Sequence, residues 1–175
     1  MDKDILLETV KKLTDENLWK AHGLIIKELK IRKLVRTRNI AGERGEQIAI
    51  DIYHNTPNEP KLQAAPEGTR NVDALSRKGE RYAIKTVTLP RKLTGVFYGL
   101  NPPGSKEQEE KKFEHLIVAM INESFEPVEI LECTWETFLK HKRWHKTMRA
   151  WNISVTSAFE RDSRVVYKNK SGEIC

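Results

Sequence analysis

The residues NVDALSRKGERYAIKT, 71–86, set Asp73 near the start of one apolar run and Lys85 near the end of the next, with a Lys-Gly turn between them. A hairpin turning near residues 77–80 would bring both to its open end. Strand alternation gives Asp73 and Leu75 one face of the first strand, and Ala83 and Lys85 one face of the second. Where those faces coincide, a carboxylate and an ammonium converge. The plain outcome is a cross-strand ion pair worth ~0.2–1 kcal/mol. Chemistry needs a third group, and the helical stretch GERGE supplies Glu46. Gly42 and Gly45 flank Glu43 there, and each costs the helix roughly 0.5–1 kcal/mol relative to alanine, so a close backbone approach would account for them. One acid from a helix, one from a strand and a lysine from the paired strand make a divalent-metal site with a charged assistant.

Taken in order, GxxGE on a helix, VDA on a strand, a turn, and YxIKT on the paired strand resemble the PD-(D/E)XK nuclease superfamily, the restriction-endonuclease-like fold. The resemblance covers residues 42–86 and extends to FEHLIVAMI, 113–121, which is similar to the next central strand of that fold. It implies that Asp73, Lys85 and Glu46 are catalytic. It also implies that Asp73, Glu46 and the backbone oxygen of Ile84 hold Mg²⁺, for which Mn²⁺ can substitute. Ala83 stands where the pattern has its second acid. Alanine offers no oxygen to a hard cation, so Glu46, or Glu43 in its stead, is expected to carry that load. An acid restored at position 83 is expected to add a ligand.

The implied activity is a Mg²⁺-dependent endonuclease that hydrolyses DNA phosphodiester bonds, of the type II restriction or repair kind. In-line attack needs a deprotonated water and stabilisation of the charge that builds on phosphate and leaving oxygen, which the metal and Lys85 would share. Two other readings stand beside it. One is a catalytically inactive module of the same fold that binds nucleic acid or a protein partner. The other is an unrelated α/β scaffold in which Asp73 and Lys85 form only an ion pair.

The elements needed to position these residues can be read from periodicity. Ile5, Leu6, Val10 and Leu13 recur at helical spacing. A second helix begins near Thr14, whose hydroxyl can cap it, with a stripe of Leu18, Ala21, Ile25 and Leu29 continued by Leu34 and Val35. GERGEQIAIDIYH is a third helix. After the loop HNTPNEP the period changes, and KLQAAP, RNVDALS and RYAIKTVT read as strands bounded by Gly, Pro or Asn; TGVFYGL follows in a region that Gly95, Gly99 and Gly104 mark as loop, and then come the apolar run FEHLIVAMI and FEPVEILEC. NPPGSKEQEEKK is a charged loop or short helix, TWETFLKHKR a helix capped by Thr134, and NISVT and SRVVYK are late strands. The expected architecture is one α/β domain, a mixed central sheet flanked by helices with an N-terminal helical segment. Its parts are N-terminal helices over 1–38, a nuclease-like core over 39–168 and a flexible tail over 169–175.

The 175 residues carry 31 lysines and arginines against 25 acids, a net charge of +6 that favours an anionic partner, DNA first. Arg70 and Asn71 precede Asp73 closely enough to touch a phosphate. KHKRWHKTMRAW, 140–151, is the most basic run and brings Lys140, Lys142, Arg143, Lys146 and Arg149 together with two tryptophans. It reads equally as a solvated helix end with Trp144 in the core or as a surface that tracks phosphates. A symmetric DNA target would call for two sites on a two-fold axis, hence a homodimer. Glycines 95, 99 and 104 form no phosphate-cradling GxxxxGK[ST] pattern, which argues against a nucleotide cofactor. The five histidines are scattered as surface or partly packed residues, and Cys133 and Cys175 lack metal-ligand spacing. The charged, amphipathic N-terminus and the lack of a long apolar run lead to the expectation of a soluble cytoplasmic protein without a membrane partner.

Overall fold

The structure, a computed structural model, describes residues 2–66 and 68–169. Most of the expected tail, with Cys175, lies outside the described residues, as does Glu67 of the EGTRN loop. The chain divides into two compact units, 1–43 and 44–175, and the division falls within the third helix.

In the first unit, helix α1 (Lys3–Lys11) starts at Asp2, whose carboxylate accepts the Asp4 amide at 3.3 Å. Helix α2 (Asp15–Ile31) starts at Thr14, whose hydroxyl accepts the Asn17 amide. The helical stripe does not continue to Leu34 and Val35 as expected. Lys33 takes a left-handed φ of 57°, and the amides of Lys33 and Leu34 turn back to the carbonyls of Lys30 and Leu29, a Schellman stop made without glycine. No residue of α1 or α2 is buried, and Trp19 is 76 % exposed. Helix α3 (Ile40–Asn55) opens at Asn39, which accepts the Gly42 amide at 3.2 Å. A Cβ on Gly42 would lie 2.2 Å from the Asn39 side-chain nitrogen, so a larger residue here would make that side chain shift.

In the second unit, α3 buries Gly45, Ile48, Ala49 and Tyr53, one stripe at helical spacing. The strands β1 (Leu62–Ala64), β2 (Ala74–Ser76), β3 (Arg81–Thr88), β4 (His115–Ile121) and β5 (Pro127–Thr134) follow. Then come α4 (Trp135–His141), β6 (Lys142–His145), β7 (Ala150–Ile153), α5 (Ser157–Asp162) and β8 (Arg164–Lys168). Six strands form one mixed sheet in the order β1-β2-β3-β4-β5-β8, parallel only between β3 and β4, and β6 and β7 form a separate hairpin. The unit is an α/β fold with helices on its sheet.

The two faces of β3 have different neighbours. Tyr82 and Thr86 meet α3: Tyr82 packs edge-on to Tyr53, and a Cβ on Gly45 would lie 2.0 Å from the Thr86 hydroxyl. Ala83 and Val87 join the main apolar core, in which Phe97, Phe113, Trp135 and Phe138 interlock. The segment TGVFYGL is irregular, as its glycines led one to expect; it is held to β7 through Thr94 and Ile153 and through the bridge Phe97 to Trp151, with Phe97 buried in the core and Leu100 packed against it. One expected element differs. The TWETFLKHKR helix stops at His141, where Lys142 turns extended and pairs with Ile153, so the basic run is a hairpin rather than a helix end. No helix among the described residues is long and apolar enough to cross a membrane.

Candidate functional site

Asp73 sits where β2 parts from β3. Its amide donates to the Tyr82 carbonyl at 2.8 Å, although Tyr82 is already the partner of Ala74. Two residues of the outer strand thus oppose one on β3, a bulge of the kind that ends pairing and re-aims a side chain. The preceding Asn71, at φ 60°, turns the chain away. Strand alternation is therefore interrupted at Asp73. Its carboxylate reaches across to accept the Ile84 amide at 2.7 Å. Odd-numbered residues of β3 direct their backbone toward β4, as the bonds from Glu114 to Arg81 and from Leu89 to Ile121 show. Ile84 therefore turns both its amide and its carbonyl toward the edge that β2 has vacated. The Asp73 carboxylate and the Ile84 backbone share that edge.

Lys85, the next residue, extends along the other face of β3, with its Nζ 5.2 Å from the centre of the Phe97 ring. Among the described residues it forms no ion pair, so the simple Asp73–Lys85 salt bridge does not form. Glu46 rises from α3 on the opposite face, half-buried on the flank of the buried stripe and one residue beyond the Gly45 contact with Thr86. Asp73 and Ile84 are brought together directly and Lys85 adjoins them along the strand, whereas Glu46 stays on the α3 face of the sheet, away from the face that carries Lys85. Glu43 is engaged elsewhere. Its carboxylate binds the amides of Arg36 and Thr37, the latter at 2.5 Å, with the Arg36 guanidinium 3.7 Å away. Burial would raise its pKa, but these bonds and the arginine leave it lowered. Ala83 is 1 % exposed within the apolar core, and its place in the packing accounts for the absence of an acid.

Among the described residues no three His, Cys, Asp or Glu side chains gather closely enough to hold a metal. Oxygen donors at the edge, one Asp73 oxygen and the Ile84 carbonyl, nonetheless suit a hard cation that keeps most of its waters and takes further oxygens from a phosphate.

The basic residues separate into two groups. Lys140 is paired with Asp162 at 2.6 Å, and Lys142 is sequestered, 13 % exposed, between Glu109 at 2.7 Å and the Trp151 ring at 4.4 Å. Arg143, Lys146 and Arg149 are exposed on the hairpin and form no ion pair among the described residues. Trp144 packs edge-on to Trp151, 5.2 Å between centres. Arg70 is exposed three residues before Asp73, and Asn71 lies beside Gly99, 3.9 Å from where a Cβ would stand.

A polar cluster that sequence spacing did not reveal lies on the α3 face. Glu132 of β5 accepts bonds from Tyr53 of α3 and from Arg164 of β8, which also binds Glu59. His115 Nδ1 stands 2.9 Å from Glu132 Oε1 without the alignment of a hydrogen bond, and its ring stacks on Tyr82 at 4.7 Å. Burial raises the Glu132 pKa, and His115, Tyr53 and Arg164 together reverse this and hold it at about 2. The carboxylate in turn raises the pKa of His115. Beside the cluster is a cleft of about 460 Å³ bordered by Lys61, Arg77 and Lys78. Tyr53 and Glu132 are 79 residues apart, so no local pattern could have paired them. With three partners already on Glu132, the cluster locks α3 to β4, β5 and β8.

No family model matches the chain, and a comparison with curated proteins finds no significant match.

Proposed function

We propose that the chain is a metal-dependent nuclease that hydrolyses DNA phosphodiester bonds at the open edge of β3, on a fold of the restriction-endonuclease-like kind. The observation that carries this reading is the bulged Asp73, its carboxylate on the Ile84 amide at 2.7 Å, with Lys85 next along the strand and unpaired among the described residues. An ordinary strand pair needs neither the bulge nor a half-buried lysine without an acid. The order of elements lends further support: a helix with Glu46, an antiparallel β2–β3 pair, then β4 parallel to β3. Asp73, the Ile84 carbonyl and Glu46 would hold Mg²⁺, which when bound supplies a Lewis acid for the phosphate and lowers the pKa of water. Lys85 Nζ orients the attacking water and stabilises charge on the phosphate oxygens. Arg143, Lys146 and Arg149 draw in the polyanion.

A second reading rests on Ala83. Because that position is given to core packing, the fold could bind nucleic acid without cutting it. Nicking of supercoiled plasmid in Mg²⁺ by wild type and by Lys85→Ala decides between the two. Loss of nicking in the variant supports hydrolysis, and an inert wild type that still binds DNA supports the binding module.

A further inference from the structure

Between the point where β2 parts from β3 and the basic hairpin lie residues 93–101, a segment without regular structure that is nevertheless firmly held. Thr94 and Ile153 exchange bonds of 3.0 Å, Phe97 and Trp151 pair through their backbones, and the Trp151 indole donates to the Asn101 carbonyl at 2.8 Å. Asn101 is fixed in turn by Glu109 at 2.9 Å. Phe97 is 3 % exposed, whereas the next residue, Tyr98, is 55 % exposed and makes no hydrogen bond or ring contact among the described residues. Its neighbours reach both parts of the proposed site. Phe97 lies under Lys85, and Gly99, at φ 73°, passes against Asn71, two residues before Asp73. On the far side Trp151 leads into the hairpin that carries Arg143, Lys146 and Arg149.

We infer that Tyr98 is a stacking platform for a nucleobase, and that the nucleic acid reaching the β3 edge is single-stranded or locally unpaired; this rests on the nuclease reading. A bare aromatic ring on a held backbone, in a segment that joins Lys85 to a hairpin of exposed cations, has the parts of a sequence-tolerant single-strand site. A base within a duplex has both faces covered by its neighbours, so an exposed ring can stack only on a base that has left the helix. The ring contributes little buried area to the fold, so its removal tests contact with a ligand at little cost to stability.

The test is fluorescence anisotropy of the full chain, in EDTA so that nothing is cut, with a labelled mixed-sequence single strand and with the same sequence as a duplex. Wild type is expected to prefer the single strand. Tyr98→Ala should weaken single-strand binding at least about fivefold while leaving duplex binding and thermal melting unchanged, and Tyr98→Phe should bind as wild type does. Equal single-strand affinity for Tyr98→Ala and wild type, a preference for duplex, or no single-strand binding would each overturn the inference. Tyr98-dependent binding by a protein that never cuts in Mg²⁺ leaves the platform standing and removes only the hydrolytic reading.

Discussion

The Ile84 amide donates to the Asp73 carboxylate at 2.7 Å across the point where β2 leaves β3. The bond does two things. It satisfies a strand amide whose partner strand has turned away, and it fixes the carboxylate against that edge of β3.

Removing the acceptor should therefore cost stability before it costs anything else. Asp73→Ala leaves the Ile84 amide without its partner and should lower unfolding free energy by about 1–3 kcal/mol. Asp73→Asn keeps an oxygen at the same place and should recover most of that. Urea unfolding of the two variants reads the difference, and equal losses would mean that the bond carries no stability.

Gly45 should be intolerant of a methyl group. An added Cβ would stand 2.0 Å from the Thr86 hydroxyl and 2.6 Å from its methyl, so Gly45→Ala should destabilise by roughly 1–3 kcal/mol. Thr86→Ala should rescue it only in part, because the Thr86 Cβ itself would remain 2.8 Å away. Thermal melting of the single and double variants checks the coupling.

The pairing of GERGE with IKT illustrates what was legible beforehand. Glycines in a helix start signalled close approach, and Gly45 lies against Thr86 of β3, whereas Gly42 meets only Asn39 of its own cap. Helix caps at Thr14 and Thr134, the turn after Ser76 and the strand character of β3, β4 and β5 also follow from local chemistry. The bulge at Asp73 does not, because it depends on where β2 stops pairing rather than on the residue itself. Local sequence is equally silent on the hairpin that replaced the end of α4, since Trp144 acts through Trp151 across the strand pair. The Tyr53, His115, Glu132 and Arg164 cluster joins four elements and carries no local spacing at all.

That cluster should govern part of the pH dependence of stability. The Glu132 pKa is depressed to about 2 from 4.5, so its contribution is present above pH 4.5 and is lost as pH falls toward 2. The His115 pKa is raised above 6.5, so its contribution is full below pH 6.5 and is lost as pH rises through the folded value. Together they favour the window between about pH 4.5 and 6.5, with Tyr53, Tyr82, Arg164, Glu59 and Glu80 as surrounding groups. Glu132→Gln should flatten the alkaline limb of a melting-temperature profile and part of the acid limb. An unchanged profile would contradict the pairing. The acid limb will not vanish, because Glu114, held at about 2 chiefly by its bond to Arg81, remains.

Salt dependence should distinguish the two groups of basic residues. Converting Arg143, Lys146 and Arg149 to Gln should make the log-log salt slope for DNA binding less steep, by up to roughly 0.9 for each phosphate no longer neutralised. Lys140→Gln should leave the slope nearly unchanged, since that lysine is engaged by Asp162. Anisotropy titrations at several salt concentrations measure both, and an equal effect of Lys140→Gln would contradict the division.

The most direct test of hydrolysis at the β3 edge is the nicking rate of wild type and Asp73→Asn, side by side in Mg²⁺ and in EDTA, at matched folded fraction. Asparagine preserves the bond to Ile84 but removes the charge a metal needs. The account predicts nicking by wild type in Mg²⁺, none in EDTA, and a folded Asp73→Asn that is inert in both. A wild type that never nicks, or an Asp73→Asn variant that cuts as fast as wild type, would contradict it.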